Sequence, residues 1–130
     1  MRISIIIPLL CACTFSCVSV TETTQSQGAT VHVVLIWLHA NGNEEQINQV
    51  ISITRELVDI PEVQEIRVGR SIPSNRAIVD DSFDVGLYII FSSHEELQRY
   101  LIHPKHKKVV KTMLRPLVKK LVVYDFNEAN

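Results

Sequence analysis

From Val31 to Leu38 the chain carries apolar, largely β-branched side chains on both alternating sets, broken only by His32, and Asn41-Gly42 closes the run. A segment apolar on both faces predicts a strand covered on both sides. Asn43 then stands where an N-cap belongs, with Gln46 three residues on as a capping-box-like partner. Ile47, Val50, Ile51, Leu57 and Val58 recur at helical spacing until Pro61 stops them. Val63 to Val68 predicts a second strand ended by Gly69, and residues 71–82, with Pro73, Ser74, Asn75 and Asp80-Asp81, a long connection. Val85 to Phe91 is a third apolar strand. Ser93-x-x-Glu96 opens a short helix through Leu97, Tyr100 and Leu101, which His103-Pro104 interrupts. Pro104 suits the first position of a further helix carrying Val109, Val110, Met113 and Leu114. Leu121 to Phe126 makes the last strand.

The order β-α-β-β-α-β, with its second helix broken, is that of a ferredoxin-like α+β sandwich over residues 31–126. That topology puts the helices on one face of a four-stranded sheet. If His32 points toward them, Val34 and Ile36 point with it, and Val31, Val33, Leu35 and Trp37 form the opposite face together with Tyr88, Ile90, Val122, Tyr124 and Phe126. An apolar face of that extent marks an interface. The expectation is therefore a homodimer of sheets packed face to face, a dimeric α/β barrel. On the helix side His32 would then enter the same pocket as Tyr100 and His106.

All three cysteines, Cys11, Cys13 and Cys17, precede residue 18, so no disulfide can staple the domain internally. Met1-Arg2 followed by an uncharged stretch to Thr21 has the form of a secretory signal, expected over residues 1–17. Leu10-Cys11-Ala12-Cys13 resembles the lipobox of bacterial lipoproteins, and Thr14-Phe15-Ser16-Cys17 is a second match. Either Cys13 or Cys17 would carry the lipid, leaving a protein that is periplasmic or held at a membrane only by this anchor. Residues 18–30, rich in Thr, Ser and Gln, read as a flexible tether. The 13 Lys plus Arg against 14 Asp plus Glu give a formal charge of −1, which supplies no field for a polyanion, so nucleic acid is not expected as a partner. Lys105, Lys107, Lys108 and Lys111 read as the solvated face of a helix.

Candidate chemistry gathers in Tyr100-Leu101-Ile102-His103-Pro104-Lys105-His106, where a phenol and two imidazoles surround a helix break. His103 is expected to cap the following helix. His32, His103 and His106 lack the carboxylate or thiolate company of a metal centre, and no metal or cofactor is expected. His39 and His94 read as loop and cap residues, and Asp80-Asp81 as a solvated turn. No phosphate loop, Ser-His-Asp order or Cys nucleophile is present outside the leader.

Val31-His32-Val33-Val34, Ile60-Pro61-Glu62-Val63, Phe91-Ser92-Ser93, His103-Pro104-x-His106 and Val122-Val123-Tyr124-Asp125-Phe126 together resemble the stress-responsive α/β-barrel (Dabb) family. The resemblance implies a dimeric ferredoxin-like barrel with a small apolar cavity between sheet and helices, lined here by His32, Val34, Ile36, Leu87, Tyr100, His106, Val109 and Val123. Plant stress proteins and the polyketide enzyme olivetolic acid cyclase belong to this family. Carried over from the cyclase, His106 would abstract a proton α to a carbonyl and Tyr100 would hydrogen-bond the developing enolate. His32 would match a pocket histidine. The chain departs from the cyclase at Val85, where the cyclase has another histidine, and at Gln49, Val50 and Ile53, where it has bulky aromatics. The expected functions are thus a ligand-binding barrel, a proton-transfer enzyme on a carbonyl substrate and, third, a surface-anchored interaction module using the helix lysines. Intact mass of the membrane-extracted protein is expected to show a diacylglyceryl adduct on a chain starting at Cys13 or Cys17. An unmodified N-terminus after cleavage would remove the anchor.

Overall fold

The computed structural model describes residues 28–129. The signal, Cys13 and Cys17, and all but the last residues of the tether lie outside the described residues. The chain runs β1 (Thr30–Leu38), α1 (Glu44–Arg55), a 3₁₀ turn (Glu56–Asp59), β2 (Glu65–Arg70), β3 (Val85–Phe91), α2 (His94–Ile102), α3 (Pro104–Lys108), a π-helical turn (Val109–Leu114) and β4 (Val118–Asn127). The four strands form one antiparallel sheet in the order β2-β3-β1-β4, the ferredoxin-like arrangement.

Register decides which side chains meet the helices. His32 lies opposite Ile89 and Asp125, Val34 opposite Leu87 and Val123, and Ile36 opposite Val85 and Leu121, so these residues share the helix-facing side. On β3 the alternation is complete: Val85, Leu87, Ile89 and Phe91 are buried, while Gly86, Tyr88 and Ile90 are not. Ile47, Val50 and Ile53 of α1 and Leu97 and Tyr100 of α2 close the core over them. Fully burying one such aliphatic side chain is worth about 1.5–3 kcal/mol.

Local signals place the helices. The Asn43 side chain accepts from the Gln46 backbone N–H at 2.9 Å, but the Gln46 side-chain oxygen is buried without a partner among the described residues, so the box is only half closed. Ser93 Oγ accepts from the Glu96 N–H at 3.3 Å, and Glu96 reaches back to the Ser92 N–H at 3.2 Å, one residue earlier than a capping box requires. Pro104 occupies the first turn of α3, and His103 Nδ1 accepts from the Lys105 N–H at 3.1 Å as its cap.

Several expected boundaries shift. β1 begins at Thr30, whose hydroxyl donates to Asn127 at 2.8 Å, so β1 and β4 overrun the expected 31–126. β2 starts two residues late because Val63 closes a turn onto the Ile60 carbonyl, and it runs through Gly69 to Arg70. There Gly69 faces Gly86, and the Arg70 guanidinium binds Glu44 and Asn48 of α1. β4 starts three residues early, its solvated Lys119 and Lys120 having concealed an edge strand.

The second sheet face carries Val33, Leu35, Tyr88, Ile90, Val122, Tyr124 and Phe126, as expected, with Tyr124 57% and Phe126 50% exposed. Val31, expected on this face, is fully buried, and Trp37 is a further exception, because its own chain covers it. Its indole donates to Ser82 Oγ at 3.0 Å, Phe83 meets it edge-on at 6.2 Å, and Lys120 Nζ lies 4.3 Å from the ring centroid. Gly86 makes room for Phe83, since a β-carbon there would sit 3.4 Å from its ring.

The connection leading to β3 is anchored by Asp84, a residue the sequence pattern did not single out. Its carboxylate is buried and accepts from the Leu38 N–H at 2.8 Å, the Gly42 N–H at 2.7 Å and the Asn41 amide at 3.2 Å. Asp80 and Asp81 serve the same connection, accepting from Ser82 and from the Ser74 N–H. Asp84→Ala is expected to cost about 2–4 kcal/mol in urea unfolding, since it strands two backbone donors. A loss below about 0.5 kcal/mol would show that water replaces the carboxylate.

Candidate functional site

The break at His103-Pro104 turns the chain so that Tyr100, near the end of α2, and His106, in the first turns of α3, face one another. Their ring centroids are 4.5 Å apart. From the sheet, His32 approaches the same phenol edge-on at 6.1 Å, and Phe91 backs it at 5.0 Å. These groups wall one side of a cavity of about 200 Å³ between sheet and helices.

Of the residues expected to line that cavity, His32, Val34, Ile36 and Leu87 rise from β1 and β3, Tyr100 and His106 come from the helices, and Val123 from β4. Val109 does not join them. It is buried in the core, and the wide π-turn that starts with it presents Val110 and Leu114 to the cavity instead. Such turns recur at functional sites because they displace side chains from the regular helical register. The sequence reading also missed Leu57, Ile89, Leu101 and Leu121. Ile89 and Leu121 were recoverable from strand parity, whereas Val110 and Leu114 depend on a turn whose width leaves no mark in the residue pattern.

Both cavity imidazoles have one nitrogen engaged. His106 Nδ1 lies 3.1 Å from the Leu101 carbonyl, which can only accept, so Nδ1 carries the proton and Nε2 holds the lone pair in the neutral ring. Burial is the main cause holding the His106 pKa below the ordinary imidazole value. The Leu101 hydrogen bond opposes that shift, while His32, His103 and Lys107 add to it. Tyr100 is 1% exposed, and burial pushes its phenol well above the usual tyrosine range, keeping it an O–H donor. His32 Nδ1 lies 2.6 Å from Asp125 Oδ1, directly across the β1–β4 pairing, an acceptor that fixes the ring and leaves Nε2 for another partner. Asp125 is a further omission of the sequence reading, since its role follows only from its register opposite His32.

The arrangement offers a lone pair at His106 Nε2 beside an un-ionised phenol, within walls that are otherwise aliphatic. That set can hold a small apolar body and hydrogen-bond one polar group on it. His103 is spent as a helix cap. His39 and His94 are exposed, the latter 3.4 Å from Gln98. Among the described residues no group of three or more His, Cys, Asp or Glu side chains is placed to hold a metal ion, and no helix is long and apolar enough to cross a membrane.

Because the folded His106 pKa lies below its unfolded value, the folded state binds fewer protons just below the ordinary imidazole pKa. The stability owed to the neutral ring is therefore complete above about pH 6.5 and declines as pH falls toward the folded value. Titration of His106 by NMR is expected to show a depressed midpoint, and His106→Gln should flatten the decline of stability below about pH 6.5. A midpoint at or above 6.5 would refute the burial argument.

No curated protein matches the chain. Solved structures do. A family member with a ferredoxin-like fold from Mesorhizobium loti aligns with a TM-score of 0.67 at 21% identity, over 80% of this chain and 100% of that one. A hydroxynitrile lyase from Passiflora edulis aligns with a TM-score of 0.66 at 22% identity, over 79% and 95% of the two chains. A dimeric ferredoxin-like protein of unknown function from Thermobifida fusca aligns with a TM-score of 0.63 at 21% identity, over 82% and 98%. At such identities these likenesses speak for the fold alone. The sequence itself matches the Stress responsive A/B Barrel Domain (Dabb) over residues 30–128, a span that takes in the whole sheet and every described helix, and the chain therefore belongs to that family.

Proposed function

We propose that this chain is an exported barrel-domain protein, anchored by lipid at Cys13 or Cys17, which pairs with a second copy through its open sheet face and binds a small apolar molecule in the cavity beneath its helices. The observation that carries the binding reading is the cavity itself. About 200 Å³ of space is bounded by aliphatic side chains and by three polar ones, His32, Tyr100 and His106. An apolar engineered cavity of about 150 Å³ accepts benzene, so a ring with a short alkyl extension is the right size. Pairing is supported by the apolar patch around Tyr124 and Phe126 and by the neighbours from Bacteroides fragilis and Thermobifida fusca, each described as dimeric.

A second reading, proton transfer on a carbonyl substrate, draws on one specific observation, the free Nε2 of a neutral His106 beside the protonated Tyr100. His106 would accept the proton α to the carbonyl, and the Tyr100 hydroxyl would donate to the developing enolate oxygen. The Passiflora edulis neighbour, described as a hydroxynitrile lyase, is an enzyme on this fold.

Sedimentation of the chain without its leader is expected to give a dimer. Tyr124→Glu with Phe126→Glu should convert it to monomer while leaving the pocket intact. Val34→Phe, which fills the cavity, should abolish the thermal stabilisation given by 4-phenyl-1-butanol and leave the dimer in place. A native monomer at micromolar concentration would overturn the pairing, and stabilisation that survives Val34→Phe would overturn the pocket.

A further inference from the structure

The lysines of the second helical region acquire a meaning once the cavity is located. Leu101, His106 and Val110 line the cavity and also a groove outside it, whose other walls are Lys107, Lys111 and Arg115. Val110, Leu114 and Leu121 line it as well and pass into a second groove, with Arg115, Lys119 and Lys120. The cations thus surround the opening between the π-turn and β4, where Leu121 and Val123 remain 44% and 46% exposed. No acidic residue lines the cavity or either groove.

Some basic residues elsewhere are matched, although Arg55, Arg76 and Lys108 make no ion pair among the described residues. Lys105 pairs with Asp59 at 2.7 Å, Arg70 with Glu44, and Arg99 with Glu62 and Glu96. Among the described residues Lys107, Lys111 and Arg115 make no ion pair. A cluster of unmatched cations on a chain of net charge −1 is a local feature, not an overall one. The solvated helix face is in this respect the rim of an apolar hole.

We infer that the ligand of this pocket is an amphipathic anion, a carboxylate on a short aromatic or alkyl body, with its apolar end against Val34, Ile36 and Leu87 and its carboxylate held at the rim by Lys107, Lys111 and Arg115. The inference rests on the binding reading above and narrows its ligand class. The rim stays in water, so each pairing is weak singly and screened by salt, and it selects among ligands that the apolar interior already holds.

Calorimetric titration with 4-phenylbutyrate, 4-phenyl-1-butanol and 4-phenylbutylamine tests this. The chain from residue 18 onward is the material, since whole solved chains are covered over 95–100% of their length by this domain and it therefore folds as a unit. At low salt the acid is expected to bind about tenfold more tightly than the alcohol, with the amine weakest, and the ratio should shrink toward one in about 0.5 M salt. Replacing Lys107, Lys111 and Arg115 together by Gln should erase the difference between acid and alcohol. Equal affinities in the native protein would overturn the inference and leave the pocket reading standing, whereas binding of neither compound would remove the pocket reading and the inference with it. Acid binding that persists in Val34→Phe would place the anion outside the cavity and overturn the inference. So would anionic phosphatidylglycerol vesicles captured through the same three cations while the acid shows no preference, an outcome that would make the rim a membrane contact.

Discussion

Strand β1 lies between β3 and β4 and is apolar on both of its faces, and the two apolar rows make different demands on the fold. On the helix side Leu38 lies within the core, while His32, Val34 and Ile36 border a gap that the broken second helix does not fill. On the far side Val33 and Leu35 join Tyr88, Ile90, Val122, Tyr124 and Phe126, while at the two ends of this row Val31 is fully buried and Trp37 is sheltered by its own chain. A polar residue along either row would relieve one demand. The strand supplies only Thr30 and His32, both on the helix side, and these are tied to Asn127 and Asp125.

The site on the helix side is shaped by where regular helix geometry fails. A continuous α-helix from His94 through Leu114 would carry Tyr100 and His106 nearly two turns apart along the axis and about 120° apart around it, too far for their rings to meet. The extended backbone of His103 and the proline after it remove that constraint and bring the two rings to 4.5 Å. The π-turn then widens the floor, turning Val110 and Leu114 inward while Val109 stays in the core. Burial that results from this closure has one electrostatic effect on both rings: it disfavours the charged form, so His106 is held neutral and Tyr100 protonated.

Much of this was legible in the residue pattern, for identifiable reasons. Strong periodicity fixed β1, β3 and the core face of α1, and local chemistry at Asn43, Ser93 and Pro104 fixed three helix starts. The parity of β1 alone was enough to bring His32 to Tyr100 and His106. What escaped depends on pairings between distant segments. The extent of β4 was hidden by Lys119 and Lys120, because an edge strand tolerates charge where an inner one does not. Asp84 and Asp125 each act through groups more than forty residues away in sequence, which no local window contains. The π-turn at Val109–Leu114 escaped because apolar residues at 109, 110, 113 and 114 suit an ordinary helix equally well.

The cavity is flanked on one side by the outermost strand, and Leu121 and Val123 there are wetted on one flank while they line the interior on the other. For a guest of the kind proposed above, this sill would serve as a sideways entrance, and its residence time would then be governed by how much oily surface must be returned to water on leaving, not by the frequency of a hinge motion. Lengthening the guest by one methylene inside the hollow should slow its departure by a steady factor, until the far wall at Leu87 and Ile89 is reached.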